Sequence, residues 1–315
     1  MMSRQRALFD AHADKWMAAL PEGGLYAPMA YLLRLPAKRI RPVLTLMACE
    51  LFGGKADEAL DEALAIELFH NFTLMHDDIM DAASLRRGQP TVHAKWNLNT
   101  AILSGDAMLV MAYKALGAHA DILQVFNTCA TEVCLGQQLD MEFEQRGDVS
   151  LAEYREMIRL KTAVLLAAAL RIGAIKAGAG LHDQERIAAF GEGLGLAFQL
   201  RDDLLDAFGD PALTGKEQGG DLRNGKKTWI LIRGLERERE LGTPVLTNEL
   251  AKPSADRNVV RMAEHLRELG VEREAEQEAD RLEATAIANL EALDPSRQRT
   301  AALFALADAL RVRAA

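Results

Sequence analysis

Apolar residues recur at helical spacing along nearly the whole chain, and no clear alternation of period two interrupts them. Spacings of three and four residues put such side chains on one helix face, so the pattern predicts an all-α protein. Ser150 and Glu153 form a capping-box pattern, and Asp57 is a candidate cap for a helix that runs to Met80. Further helices are predicted over residues 41–52, 100–116, 121–145, 183–207, 226–238, 255–269, 273–292 and 298–312.

Glycines and prolines mark the predicted helix ends, and none of these breaks is long enough to be a linker between domains. We therefore expect residues 1–315 to form one domain. Hydrophobic residues make up 49% of the chain and charged residues 26%, a balance typical of globular rather than disordered proteins. The apolar stretch 163–169 is too short to cross a bilayer, which favours a buried helix.

The net charge bears on nucleic-acid binding, and the cysteine content bears on the cellular compartment. The net charge of -9 disfavours nonspecific binding of nucleic acid. The first residues carry early acids and no apolar core of a signal peptide, so none is expected. The three cysteines, Cys49, Cys129 and Cys134, are odd in number and form no C-x-x-C motif. They predict free thiols in a reducing compartment, and hence a cytoplasmic location.

Two aspartate clusters share one internal spacing: DDIMD at residues 77–81 and DDLLD at residues 202–206. The first and last aspartate of each cluster lie four residues apart, on one helix face. Like charges at this spacing destabilise a helix unless a cation compensates them. Mg²⁺ prefers a few carboxylates completed by water and substrate phosphate oxygens. Two such helices that face each other would hold a diphosphate through shared Mg²⁺ ions.

A single cluster of this kind is more often a solvated acidic helix turn. Here apolar residues lead into both clusters, among them Phe72 and Met75 before the first, and Leu196 and Leu200 before the second. Acidic residues set in such apolar helices are poor candidates for plain surface. The repeated spacing makes coincidence a weaker explanation than a shared metal site.

Basic residues occur where a second diphosphate would need them. One patch is KRIRP at 38–42, a pair follows the first aspartate cluster at 86–87, and three lysines lie in the glycine-rich segment 215–228. Taken singly, each is more often a surface charge. Lys161 is the exception, because apolar residues surround it in a predicted helix. Arginine suits bidentate contact with phosphate, whereas lysine acts as a compact charge.

With these motifs in this order, residues 34–232 resemble the trans-isoprenyl diphosphate synthase (polyprenyl synthase) family. The matching stretches are KRIRP at 38–42, HDDIMDAASLRRGQPT at 76–91, GD at 105–106, KT at 161–162, FQLRDDLLD at 198–206 and GKEQGGDLRNGKKT at 215–228. The resemblance implies a single antiparallel helix bundle around a deep central cavity, usually a homodimer. It also implies condensation of isopentenyl diphosphate with an allylic diphosphate of C5 to C15.

The resemblance assigns site residues. The ligands of Mg²⁺, three ions per active site with substrate bound, would be Asp77, Asp78, Asp81, Asp202 and Asp206. The allylic diphosphate would be held by Arg86, Lys161, Lys216 and Lys226. Isopentenyl diphosphate would be held by Lys38, Arg41, His70 and Arg87. Thr162 and Gln199 would place oxygen dipoles near the developing carbocation.

The family's basic motif commonly begins Gly-Gly-Lys, whereas this chain has Pro36-Ala37-Lys38, which restricts the loop backbone. Its C-terminal Arg311 and Arg313 do not match the basic tail of some members with any clarity. Product length would depend on Phe72, Thr73 and Phe69, the residues that precede Asp77 by one to two helical turns. One large residue among the nearest positions resembles a C20-type member, so geranylgeranyl diphosphate is the predicted product.

Several alternatives remain at this point. A farnesyl (C15) or longer-chain synthase would use the same motifs. A terpene cyclase would show a different second metal motif, and a noncatalytic synthase subunit would have lost aspartates. The glycines at 191, 193 and 195 do not make a dinucleotide fingerprint, because no strand precedes them. His76 beside the first cluster is either a base or, as we favour, a packing residue; His93 and Trp96 are interpreted as structural.

Overall fold

The computed structural model describes residues 2–209, 219–294 and 296–312. The chain forms two compact units. Unit 1 comprises Met1–Asn127 and Ala168–Glu185, and unit 2 comprises Thr128–Ala167 and Arg186–Ala315. The prediction of one domain over the whole chain stays a prediction. No described helix has both the length and the apolar character that a membrane span requires.

Unit 1 is built from helices and one short hairpin. Its helices are α1 Met2–Ala18, α2 Ala27–Arg34, α3 Ile40–Leu51, α4 Leu60–Met80, α5 Val92–Lys95 and α6 Leu98–Leu116. The strands β1 Leu85–Arg86 and β2 Gln89–Pro90 pair antiparallel. Helix α4 contributes many residues to the core of unit 1. Its Leu64, Ile66 and Phe69 are buried almost completely. The aspartates at its C-terminal end are therefore carried on a helix that packing holds firmly.

Three further helices have residues in both units: α7 Ala120–Glu144, α9 Val164–Lys176 and α10 Leu181–Phe208. The others that lie in unit 2 are α8 Leu151–Ile158, a π-helical turn Arg159–Ala163, α11 Gly220–Asn224, α12 Trp229–Leu241, α13 Val245–Leu250, α14 Val259–Glu268, α15 Val271–Leu293 and α16 Ala301–Val312. Their shared core includes Leu200, Ile230 and Leu266, all buried. This core also includes Leu204 and Ala207 of α10, the helix that carries the second aspartate cluster.

The all-α prediction is confirmed, and so is the capping box. The Ser150 hydroxyl accepts from the Glu153 backbone N–H, and the Glu153 carboxylate accepts from that of Ser150. Several predicted helix starts are wrong, and the helices predicted from residues 255 and 298 begin at Val259 and Ala301. Asp57 does not cap α4, because a 3₁₀ turn over Ala56–Ala59 precedes that helix. The helix predicted from residue 226 begins at Trp229, because the Thr228 hydroxyl accepts from a first-turn N–H and caps it.

Candidate active site

The first aspartate cluster occupies the last turn of α4 and the residue after it. Asp81 closes the helix, with its N–H donated to the carbonyl of Asp77. The two outer aspartates differ from the middle one in exposure: Asp81 is exposed and Asp77 partly so, whereas Asp78 is 1% exposed. The helix end thus offers two carboxylates toward solvent and keeps the third inside.

Asp78 is paired with Arg86. The Arg86 Nε donates to Asp78 Oδ1 at 2.8 Å, and its Nη2 lies 3.7 Å from Asp77 Oδ2. Burial raises the pKa of Asp78, and the hydrogen bond from Arg86 partly offsets this rise. Arg86 is held there by the hairpin, whose two-residue turn has positive φ at Arg87 (54°) and Gly88 (75°). The hairpin therefore presents a guanidinium beside the first cluster.

In the KRIRP segment, Arg39 forms ion pairs inside unit 1 and Arg41 contacts a histidine. Arg39, at φ 53°, donates to the buried carboxylate of Glu67 and to the Leu33 carbonyl, so it serves the fold. Arg41 Nη1 lies 3.1 Å from His70 Nε2. Burial and the neighbouring arginines, Arg41 first, hold the pKa of His70 well below its usual range. The imidazole is therefore neutral and accepts from Arg41. Lys38 is exposed in the loop before α3.

His76 packs against the GD motif. A Cβ at Gly105 would clash with the His76 ring, and His76 Nε2 lies 3.2 Å from the Ile102 carbonyl oxygen. Asp106 Oδ1 is 3.9 Å from the same nitrogen. This geometry agrees with the packing interpretation. The sequence alone did not connect the glycine of this motif with the histidine.

The three residues associated with chain length form one side of α4. Phe69 is buried with its ring edge against Phe126, and the centroids of Phe69 and Phe72 are 5.7 Å apart. Phe72 is half-buried and meets the His76 ring at 4.8 Å between centroids. The Thr73 hydroxyl donates to the His70 carbonyl. Next to Phe72 in the sequence, this position therefore carries a small side chain that is bonded to its own helix.

The second cluster repeats the exposure pattern of the first. Asp202 is exposed, Asp203 is 4% exposed, and Asp206 is half-buried. Asp206 Oδ2 accepts the backbone N–H of Asp221 at 2.9 Å at the start of α11. Burial raises the pKa of Asp203 to about 7, against the lowering effect of hydrogen bonds from Tyr154 and Gln199. The middle aspartate is again the inner one.

The predicted lysine and threonine pair lies in the π-helical turn. Lys161 Nζ donates to Asp140 Oδ2 at 2.6 Å, and Lys226 Nζ lies 3.8 Å from the same oxygen. Thr162 Oγ1 donates to Gln199 Oε1 at 3.3 Å. A Cβ at Gly136 would clash with the backbone of Lys161, so glycine lets α7 approach the turn. The turn thus brings two lysines to one carboxylate.

Asp140 and Tyr154 were missed by the sequence analysis. Asp140 lies one turn after Gly136 in α7, and nothing in its spacing marks it as the partner of two lysines. Tyr154 belongs to none of the motifs, and its partner Asp203 is 49 residues away in the sequence. Lys216 and Arg313 lie outside the described residues, and Arg311 Nε is 3.9 Å from Glu283.

The residues present suit Mg²⁺ only if substrate completes the coordination. Among the residues that the structure describes, no three His, Cys, Asp or Glu side chains converge to hold a metal unaided. Each cluster instead offers two outer carboxylates four residues apart. This hard, partial oxygen set fits a magnesium ion that keeps waters and binds phosphate oxygens.

Comparison with known proteins gives consistent matches. The family model described as polyprenyl synthetase matches residues 22–266. Geranylgeranyl diphosphate synthase of Methanosarcina mazei is 40% identical over 235 residues, 72% of this chain and 72% of that protein. Geranylfarnesyl diphosphate synthase of Aeropyrum pernix is 38% identical over 242 residues, 73% of this chain and 76% of that protein. A crystal structure of a geranylgeranyl pyrophosphate synthase, 42% identical, matches 98% of both chains with a TM-score of 0.92.

Proposed function

Because this chain belongs to the polyprenyl synthetase family and is a trans-prenyltransferase, we propose that it condenses isopentenyl diphosphate with allylic diphosphates and stops at geranylgeranyl diphosphate (C20). One observation carries the proposal: both aspartate clusters are complete and share one arrangement, with a buried middle carboxylate and less buried outer ones. A surface acidic turn would not bury its middle charge against a dedicated partner. A terpene cyclase has no use for the additional basic residues of unit 1.

We assign Asp77, Asp81, Asp202 and Asp206 as the ligands of Mg²⁺, which when bound offsets the charge of the departing diphosphate. Asp78, expected from the sequence to be a further ligand, serves instead by holding Arg86, since its Oδ1 accepts from that guanidinium. Arg86, Lys161 and Lys226 hold the allylic diphosphate, together with Lys216. Their fixed positive charges stabilise the anion that forms as the C–O bond breaks.

Isopentenyl diphosphate is proposed to bind Lys38, Arg41, Arg87 and neutral His70. Its double bond attacks the allylic carbon, a C–C bond forms, and the proton that is lost goes to the departed diphosphate. Thr162 and Gln199 face the developing positive carbon with oxygen dipoles. No side chain acts as a nucleophile.

A homodimer in the cytoplasm is part of the proposal. Large apolar side chains are exposed on α6, where Leu103 is 59% and Val110 67% exposed, and on α7, where Leu135 is 53% exposed. Exposed apolar residues of this size are typical of subunit contacts. Three free cysteines fit a reducing compartment.

Product length is the test. Purified protein with Mg²⁺ and labelled isopentenyl diphosphate is given C5, C10 or C15 allylic diphosphates, and the products are separated by length. Elongation from each starter that ends at C20 is expected. Products that end at C15 or C25 would keep the prenyltransferase and overturn the product assignment, while no elongation by folded protein would overturn the function.

A further inference from the structure

We propose that Tyr154 is a positioning residue for prenyl transfer, which acts through Asp203 to fix the orientation of Gln199 and the start of α12. The inference rests on the proposed function. It adds a residue that lies outside all of the sequence motifs on which that function is based. Tyr154 lies on α8, one turn after the capping Ser150, and is 2% exposed. It reaches the second aspartate cluster through a single hydroxyl group.

The Asp203 carboxylate is engaged by donors from three different segments. Tyr154 Oη donates to Oδ2 at 2.5 Å, the Trp229 backbone N–H reaches Oδ2 at 3.4 Å, and Gln199 Nε2 donates to Oδ1 at 3.2 Å. A buried carboxylate requires such donors to offset the loss of water. Asp203 is therefore a connector inside unit 2, not a group turned toward a ligand.

The consequence for Gln199 follows from the chemistry of an amide. One end of the side chain donates and the other accepts, so an amide whose nitrogen faces Asp203 must direct its oxygen elsewhere. That oxygen accepts from Thr162 at 3.3 Å. The orientation of the oxygen proposed to face the carbocation is thus set by Asp203, and the hydroxyl of Tyr154 holds the carboxylate that sets it.

The same carboxylate holds the start of α12. The Trp229 N–H is among the first N–H groups of that helix, which have no partner within the helix itself. Lys226 lies three residues earlier, in the segment that leads into the helix. Burial and the nearby Asp203 raise the pKa of Tyr154 well above its usual range, so the phenol keeps its proton and remains the donor.

Without the hydroxyl, Oδ2 would retain only the long contact to Trp229. The carboxylate would then be free to rotate toward the remaining donors, and the Gln199 amide would lose its fixed acceptor. We therefore expect a slower chemical step and weaker binding of the allylic diphosphate. Contacts proposed for isopentenyl diphosphate lie on residues of unit 1 and are left intact.

The test is Tyr154→Phe, which removes one oxygen and keeps the ring. We expect kcat to fall about tenfold, the effect of losing one buried hydrogen bond, with KM for isopentenyl diphosphate changed less than about twofold. Tyr113→Phe is the matched control. The hydroxyl of Tyr113 on α6 donates to Asn127 on α7 in an exposed contact. That control should leave both constants unchanged.

A second measurement separates positioning from stability. In a Gln199→Ala background, Tyr154→Phe should lower kcat by clearly less than about tenfold, because one of the two groups through which it acts is gone. Equal losses in both backgrounds, or a wild-type kcat for folded Tyr154→Phe, would overturn the inference. If Tyr154→Phe does not fold, Asp203→Asn takes its place, and an unchanged kcat there would overturn it as well. Wild-type protein that elongates no starter would instead refute the proposed function.

Discussion

The middle aspartate of each cluster has different surroundings from its neighbours. Asp78 is buried against Arg86, and Asp203 is buried among the donors from Tyr154, Gln199 and Trp229. The outer aspartates lie closer to solvent. Burial makes an unpaired charge expensive, so each middle carboxylate is tied to donors that stabilise it. The D-D-x-x-D pattern thus combines the proposed metal ligands with a buried carboxylate that holds neighbouring groups in place.

This division of tasks predicts different magnesium behaviour for adjacent residues. Asp77→Asn removes a proposed ligand and should raise the Mg²⁺ concentration for half-maximal activity by about tenfold or more. Asp78→Asn removes the partner of Arg86 and should lower stability by about 1–3 kcal/mol while the Mg²⁺ requirement stays near that of the wild type. Activity titrated with Mg²⁺, beside urea denaturation, measures both. Equal shifts in the Mg²⁺ requirement would return Asp78 to the ligand set.

The buried His70 should make the free energy of unfolding sensitive to acid. Its folded pKa is depressed by burial and by Arg41, Arg87, Arg86 and Arg39, so below about pH 6.5 the unfolded chain binds a proton that the native ring does not. Stability is therefore lost as the pH falls below about 6.5, at up to about 1.4 kcal/mol per pH unit.

His70→Gln removes this group, so its urea midpoint should fall less than that of the wild type between about pH 7.5 and 5.5. His119→Gln, at the exposed ring after α6, is the control and should follow the wild type. A variant at position 70 with the wild-type pH dependence would contradict the assignment.

At the scale of elements, close helix contacts decide where the lysines stand. The π-helical turn over Arg159–Ala163 changes the register of the helix, and Gly136 allows α7 to lie against its backbone. Such turns are frequent at functional sites. Asp140, one turn after Gly136, then meets Lys161 and Lys226. The contact between α7 and this turn is therefore a condition for the lysine arrangement.

Gly136→Ala should separate α7 from the turn. Alanine favours a helix over glycine by about 1 kcal/mol, yet the added methyl would clash with the Lys161 backbone, and we expect a net loss of about 1–3 kcal/mol in stability together with a lower kcat. Gly147→Ala is the control, because a Cβ there meets no atom within 4 Å. Thermal unfolding and kcat measure the two effects. A Gly136→Ala protein as stable and active as the control would refute the close contact as a requirement.

At the scale of the whole molecule, the observable property is the length of the product. Phe72 is half-buried, packed against Phe69 on one side and His76 on the other. Related proteins named for C20 and C25 products are similarly close to this chain. Overall similarity therefore does not decide the length of the product, and we propose that Phe72 limits it.

Phe72→Ala should give products longer than those of the wild type by at least one C5 unit, since the ring proposed to stop the chain is removed. Phe304→Ala on α16 removes another half-buried ring and serves as the control, with product length unchanged. Products are separated by chain length after equal turnover. A Phe72→Ala product no longer than that of the wild type would remove this residue from the proposal.

The sequence alone determined the helical class, the long helices to within a few residues, the capping box at Ser150 and the two aspartate clusters. These features depend on periodicity and on short spacings, which are local. Short helices such as α2, and the start of α4, were missed or misplaced because tertiary contacts outweigh weak local preferences in short segments.

Only the tertiary structure decided which carboxylates are buried and which groups they contact. Asp77 and Asp78 are adjacent and chemically identical, and burial against Arg86 distinguishes them. Asp140 and Tyr154 gain their importance from partners distant in sequence, Lys161 and Asp203, which no spacing rule connects. Burial, pKa and hydrogen-bond partners depend on atoms that folding brings together, so they are properties of the folded chain and cannot be read from its pattern.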